Sequence, residues 1–434
     1  MQIKQLIFIV ILSFSSQWVL ASLPIQHWQT SSGARVYFVE NHDLPMLDIS
    51  VEFAAGSGMD AANKSGCANL VQHLLSLGAG GLTEDQIATA LADVGAQLKS
   101  HFDKDRAGIT LRTLSSERER KQALDILTRI IQHPQFSQEV LLREKTRIIA
   151  GIKEASTKPD YIAEHQLMKM LYGDHPYGFS ELGEIETLNG LQQEDLLNFY
   201  RSYYVANNAV IAIIGDITRV EAAEIAESLT KKLPLNQLST EIPAVIPPKG
   251  EVKRIPHPAT QSHIQLAYPG LRRSDPDYFP LLVGNHILGG GGFVSRLMEE
   301  VRQQRGLAYS VFSFFTPYKE QGPFQIGLQT KKEQSEEAFA LTRKILKDFV
   351  MSGPTEEELI AAKQNIIGGF PLRIDSNSKI LGFLSMMGFY QLPLTYLTDY
   401  LTAVEAVTVE QIRQAFQRRI HPDAMVAVIV GAVE

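Results

Sequence analysis

The chain has 434 residues, 44% of them hydrophobic and 21% charged, with a net charge of −7. That length exceeds one ordinary hydrophobic core, and that composition excludes a disordered or membrane-embedded chain. The acidic balance, without a long run of one sign, argues against a nucleic-acid-binding surface.

In chain order, the first feature is N-terminal. Lys4, the apolar stretch 6–14 and Val19-Leu20-Ala21 have the build of a secretory signal peptide over residues 1–21. A membrane span needs ~20 apolar residues, and Ser15-Ser16-Gln17 interrupts this stretch. The expected mature chain starts at Ser22, carries no stable membrane anchor after cleavage, and is periplasmic in a Gram-negative source. The only cysteine, Cys67, can form no intrachain disulfide. It lies in an apolar, helix-like stretch without a nucleophile signature, and so reads as a small core residue.

Strands are expected over 35–40, 47–53, 108–114 and 210–214, and helices over 84–94, 116–132 and 138–171. The second half shows helical patterns over 278–288, 333–351 and 355–367. The halves repeat. The first ends in Tyr200-Arg201-Ser202-Tyr203-Tyr204, Asn207-Asn208 and the β-branched run 210–214 closed by Gly215. The second ends in Phe416-Gln417-Arg418-Arg419, Pro422-Asp423 and the run 426–430 closed by Gly431. Strand 47–53 has its counterpart at 262–267. A repeat of this length implies duplicated domains, here 22–232 and 251–434. Between them, 233–250 carries Pro234, Pro243, Pro247 and Pro248 and reads as a fairly stiff linker. Strands beside grouped helices predict an α+β fold of two homologous domains, each an antiparallel-rich sheet packed against helices.

Gly66-Cys67-Ala68-Asn69-Leu70-Val71-Gln72-His73 would carry H-x-x-E-H if residue 69 were His and residue 72 Glu. That motif places two metal ligands one helical turn apart with a general base between them. Only His73 remains. A second segment, Arg305-Gly306-Leu307-Ala308-Tyr309-Ser310, is intact.

With these segments, together with Pro45 to Gly58, Gly173-Asp174-His175-Pro176-Tyr177-Gly178, Asn207 to Gly215 and Leu288 to Arg296, the chain resembles the pitrilysin-type (inverzincin) metallopeptidases. That family includes insulysin and the mitochondrial processing peptidase. The resemblance covers nearly the whole mature chain and implies half of a clamshell chamber. It maps the zinc ligands onto Asn69, His73 and a position at or beside Ala150, and the general base onto Gln72. One imidazole cannot replace the three protein ligands of a catalytic zinc, and an amide is no base near neutral pH. Glu154 and His165 fall at the wrong places to substitute.

The resemblance also implies that Arg305 and Tyr309 act in trans, holding a peptide backbone and stabilising an oxyanion beside a partner's zinc. Gly289, Gly290, Gly291 and Gly292 would border the cleft near a sheet edge open to peptide addition. Arg296 reads as an ion pair closing the domains. His101 and His175 read as turn or surface histidines, and Met386-Met387 with Phe389-Tyr390 as helix core.

The expected function is therefore a non-catalytic subunit of a secreted heteromeric zinc metallopeptidase. It would hold no cofactor itself and work on peptides with a zinc-bearing homologue. The alternative is a metal-free peptide-binding or scaffold protein of the same fold.

Overall fold

The computed structural model describes residues 24–234 and 241–431. The signal-peptide reading and part of the linker lie outside them. Two sheets form the framework. The strands of the first half are β1 (Gln26–Gln29), β2 (Arg35–Glu40), β3 (Met46–Phe53), a two-strand ribbon of β4 (Gly78–Ala79) and β5 (Leu82–Thr83), β6 (Gln97–Phe102), β7 (Ala107–Leu114) and β8 (Ala209–Gly215). Apart from the ribbon they make one six-stranded sheet in the order β1-β2-β8-β3-β7-β6. The second half contributes β9 (Glu251–Ile255), β10 (Gln261–Pro269), β11 (Val311–Phe315), β12 (Pro323–Lys331) and β13 (Val426–Val430), in the order β11-β12-β10-β13-β9. Each sheet has one parallel pair, β2 with β8 and β9 with β13, and is otherwise antiparallel. The strands β1, β6, β9, β11 and β12 are additional to those expected from the sequence.

The first-half helices are α1 (Cys67–Leu74), α2 (Glu84–Ala92), α3 (Glu117–Gln132), α4 (Gln138–Ala155), α5 (Pro159–Tyr172), α6 (Ile185–Gly190), α7 (Gln193–Tyr203) and α8 (Arg219–Thr230). Those of the second half are α9 (Tyr278–Asn285), α10 (Ser335–Ser352), α11 (Glu356–Gly369), α12 (Asn377–Phe389), α13 (Tyr396–Ala406) and α14 (Val409–Arg419). The single helix expected over 138–171 is two. Pro159 occupies the first turn of α5, and Lys158 before it is extended, as a residue preceding proline prefers.

That break sends α5 onto the other half's sheet. Every residue of β8 is buried, so this strand needs cover on both faces. Ala209, Ile211 and Ile213 join the first-half core with residues of α1, α3, α7 and α8. Val210, Ala212 and Ile214, on the opposite face, pack against Ile380, Leu381, Leu384 and Phe389 in and beside α12 of the second half. The second sheet mirrors this. Ala427 and Ile429 of β13 face their own half's core, whereas Val426, Val428 and Val430 meet Ala163, Leu167 and Leu171 of α5. The contact is close: a Cβ at Gly388 of α12 would lie 2.6 Å from both the Tyr37 ring and Val210. Ile242 and Val245, in the stretch read as linker, are buried against α5. Met387 is core as expected. His175 lies in a turn, its Nδ1 accepting from the Tyr177 N–H at 3.1 Å. His101 lies at the surface on the edge strand β6, its side chain 40% exposed and paired with Asp103 at 3.1 Å.

A buried carboxylate joins the halves. Asp105 Oδ1 accepts from Tyr177 Oη at 2.5 Å, and Oδ2 accepts from Tyr390 Oη at 2.8 Å and from the Lys319 N–H at 2.6 Å. Burial pushes this carboxyl up to about 6, against the opposing hydrogen bond from Tyr177. A carboxyl raised above its unfolded value of about 3.9 favours the folded state below that value and loses the contribution as pH climbs through about 6. The melting temperature of the natural chain minus that of Asp105→Asn should therefore fall between about pH 4 and pH 7. A flat or rising difference in thermal melts would contradict this assignment.

Candidate functional site

The degenerate motif is α1. Its first turn is held by a carboxylate from upstream in the chain: Asp60 Oδ2 accepts from the Gly66 N–H at 2.9 Å and Oδ1 from the Ala68 N–H at 2.8 Å. This serves the free N–H groups that begin any helix. Burial raises the Asp60 carboxyl to about 7. Cys67 is buried, and burial pushes its thiol far above the range of a reactive cysteine. It is core, as read from the sequence.

Asn69 and His73 are half-buried one turn apart, and Gln72 is buried between them. Gln72 is tied down at both ends of its amide. Nε2 donates to the Gly108 carbonyl of β7 at 2.7 Å, and Oε1 accepts from Tyr204 Oη at 2.9 Å. The side chain at the general-base position thus stitches α1 to the sheet.

His73 meets α4. Its Nε2 lies 2.9 Å from Glu144 Oε2 and 2.9 Å from Arg147 Nη2. Arg147 Nη2 is also 2.9 Å from Glu144 Oε2, and Arg143 Nε donates to Oε1 at 2.8 Å. Burial alone would raise the Glu144 carboxyl. The hydrogen bonds from His73 and Arg143 and the charge of Arg147 outweigh it and hold the group below the usual carboxylate range. This cluster escaped the sequence reading. Its available signal was Arg143-Glu144 followed by Arg147, a spacing that puts two cations and a carboxylate on neighbouring turns.

Ala150 lies about 120° around α4 from Glu144, whereas Gly151 returns to within about 20° of the Glu144 face. Gly151, beside the position named from the sequence, therefore shares that face. Neither offers a metal-binding side chain. Glu154 is exposed and pairs with Lys158 at 2.9 Å, and His165 pairs with Glu184 at 2.8 Å. Among the described residues no group of three or more His, Cys, Asp or Glu could hold a metal ion. The residues present do not fit a catalytic zinc, which takes three protein ligands and keeps one position open.

In the second half, the expected Gly-rich loop follows α9 through the π-helical turn His286–Gly290. Just before it, the end of α9 is tied to an edge strand. Asn285 Nδ2 donates to the Ser313 carbonyl of edge strand β11 at 3.1 Å, and Ser313 Oγ donates to Asn285 Oδ1 at 2.7 Å. A Cβ at Gly289 would lie 2.6 Å from the Ser313 nitrogen. Gly289 is there so that the loop can lie against the strand. Gly292 adopts a left-handed φ of 64°, which glycine takes without cost. Gly290 and Gly291 pack on Asn285 and His286.

Arg305 and Tyr309 follow a second π-helical turn, Met298–Gln303, and lie in a loop rather than at helical spacing. Tyr309 is 77% exposed. Arg305 Nη1 donates to the Glu300 carbonyl at 3.2 Å. The Arg302 guanidinium sits 5.2 Å from the Tyr309 ring and 4.9 Å from that of Phe293. Among the described residues, these contacts of Arg305 and Tyr309 run back to the preceding π-helical turn, and none reaches α1 or α4. Arg296 does not close the domains. It pairs with Glu358 of the same half at 2.6 Å.

The clamping of Gln72 gives a prediction. In Gln72→Glu a carboxylate oxygen would face the Gly108 carbonyl with no donor between them. The variant should lose about 1–3 kcal/mol near neutral pH and regain part of it in acid, where a protonated carboxyl can donate again. Urea unfolding at both pH values measures this. Unchanged stability near neutral pH would show that the amide is not structural.

Residues 35–184 match the family described as Insulinase (Peptidase family M16), and residues 190–366 match Peptidase M16 inactive domain. The fold is similar to a crystal structure of a peptidase M16 inactive domain from Pseudomonas fluorescens, at a TM-score of 0.92 and 38% identity, covering 95% of this chain and 98% of that one. Among curated proteins the chain is 27% identical over 379 residues to the non-peptidase homolog YmxG of Helicobacter pylori, covering 87% of each. It is 22% identical to the mitochondrial-processing peptidase subunit beta of Blastocladiella emersonii, covering 93% of this chain and 88% of that one. With both halves matched and only one of the three zinc-binding side chains retained, the chain belongs to the M16 (insulinase) peptidase family as an inactive-type member.

Proposed function

We propose that this chain is the non-catalytic subunit of a secreted two-chain zinc peptidase. The carrying observation is an asymmetry between its halves. In the first half Gln72 is spent on β7 and Tyr204, and His73 on Glu144 and Arg147 of α4. In the second, Arg305 and Tyr309 stand exposed on a loop. A homologous chain with intact H-x-x-E-H would hold the zinc. Arg305 and Tyr309 would add hydrogen-bond donors for the substrate backbone and the developing oxyanion. Relatives named as subunits of a processing peptidase support a shared assembly. The sequence of residues 1–21 supports export to the periplasm.

A metal-free peptide-binding or scaffold protein is the second reading, favoured by the name of the Helicobacter pylori relative, a non-peptidase homolog. The loop residues separate the two. Arg305→Ala or Tyr309→Phe should lower kcat/KM of the reconstituted pair at least about tenfold, or about 1.4 kcal/mol of transition-state stabilisation. Both side chains are exposed, so folding stability should move by less than about 0.5 kcal/mol. Turnover by the pair that is indifferent to both substitutions would remove the role assigned to them.

A further inference from the structure

We infer that Arg147 is a built-in replacement for the metal: its guanidinium binds the imidazole of His73, the one retained ligand, together with the neighbouring Glu144 carboxylate, and it keeps a divalent cation out. The side chain of Glu144 is only 4% exposed and needs a positive partner. Arg143 serves one of its oxygens. Arg147 and His73 share the other at 2.9 Å each. These contacts tie α1 to α4, as a bridging cation would.

The His73 Nε2 atom decides the matter. It lies at hydrogen-bond distance from both a donor, Arg147 Nη2, and an acceptor, Glu144 Oε2. If Nε2 carries no proton, its lone pair is taken by Arg147. If it carries one, that proton goes to Glu144 and no lone pair remains. Zinc needs that lone pair. An incoming dication would also meet two guanidinium charges around the one carboxylate it could use.

The surroundings leave room for ligands, so the obstacle is specific to Arg147. Asn69 is one turn before His73 on the same helix, and a Cβ at Gly151 would have no neighbour within 4 Å. The test compares Asn69→His/Gly151→Glu with the same chain carrying Arg147→Ala as well. Zinc affinity is read by competition with a chromogenic chelator, and folding by circular dichroism. The protein lacking Arg147 should bind zinc at least tenfold more tightly, and Arg147→Lys should behave like the arginine form. Equal affinity with and without Arg147 would overturn the inference. Should Gly151→Glu prevent folding, Asn69→His with and without Arg147→Ala makes the same comparison, with Glu144 as third ligand. The readout needs neither partner nor turnover, so it stands apart from the two-chain reading.

Discussion

Two strands that are buried on both faces govern the rest of this molecule. β8 and β13 each present apolar side chains in both directions, and the helices of one half cover only one of those directions. The uncovered faces are closed by exchange, α12 lying on the first sheet and α5 on the second. A fully buried β-branched side chain is worth about 1.5–3 kcal/mol, so separating the halves would expose several such contributions at once. The Asp105 carboxylate, bonded to groups of both halves, requires the same closeness.

The exchange has a consequence for the site. α4 and α5 are separated only by residues 156–158, so the segment that carries Glu144 and Arg147 runs almost directly into the one anchored on the far sheet. The cluster around His73 is therefore built on two helices that are each held by packing. Its charges close on themselves, with the buried carboxylate answered by Arg143, Arg147 and His73. The loop bearing Arg305 and Tyr309 is different. With the glycine-rich turn before it, this loop presents aromatic and cationic side chains to solvent, where Phe293, Val294 and Tyr309 are each more than half exposed. The half that resembles a catalytic domain is thus chemically closed, and the other half is open.

The duplicated plan was legible because doubly buried strands leave an unmistakable apolar run, at 210–214 and again at 426–430. The degeneracy of the motif was legible because ligand chemistry is a matter of residue type at fixed spacing: Asn69 and Gln72 cannot act as His and Glu. What could not be read was set by tertiary contact. Short edge strands such as β6 and β11 carry too little pattern to separate from loops. The break at Pro159 was within reach of the proline rule, yet the strong helical period on either side hid it. The His73–Glu144–Arg147 cluster depends on which face of α4 meets α1. Spacing alone put attention on Ala150, when the face that matters returns at Gly151. The glycine run suggested a binding loop, and only the position of Ser313 reveals that Gly289 serves the packing of a sheet edge.

An inactive-type chain that completes another chain's site must be silent alone and effective in company. The direct measurement is peptide hydrolysis with zinc quantification, on this chain by itself and mixed with an H-x-x-E-H homologue from the same genome. The account predicts no stoichiometric zinc and no turnover for the chain alone. For the mixture it predicts a stable complex with zinc and hydrolysis well above that of the homologue alone. Hydrolysis and bound zinc in the purified chain, or a mixture that forms no complex and adds nothing to the homologue's own rate, would contradict it.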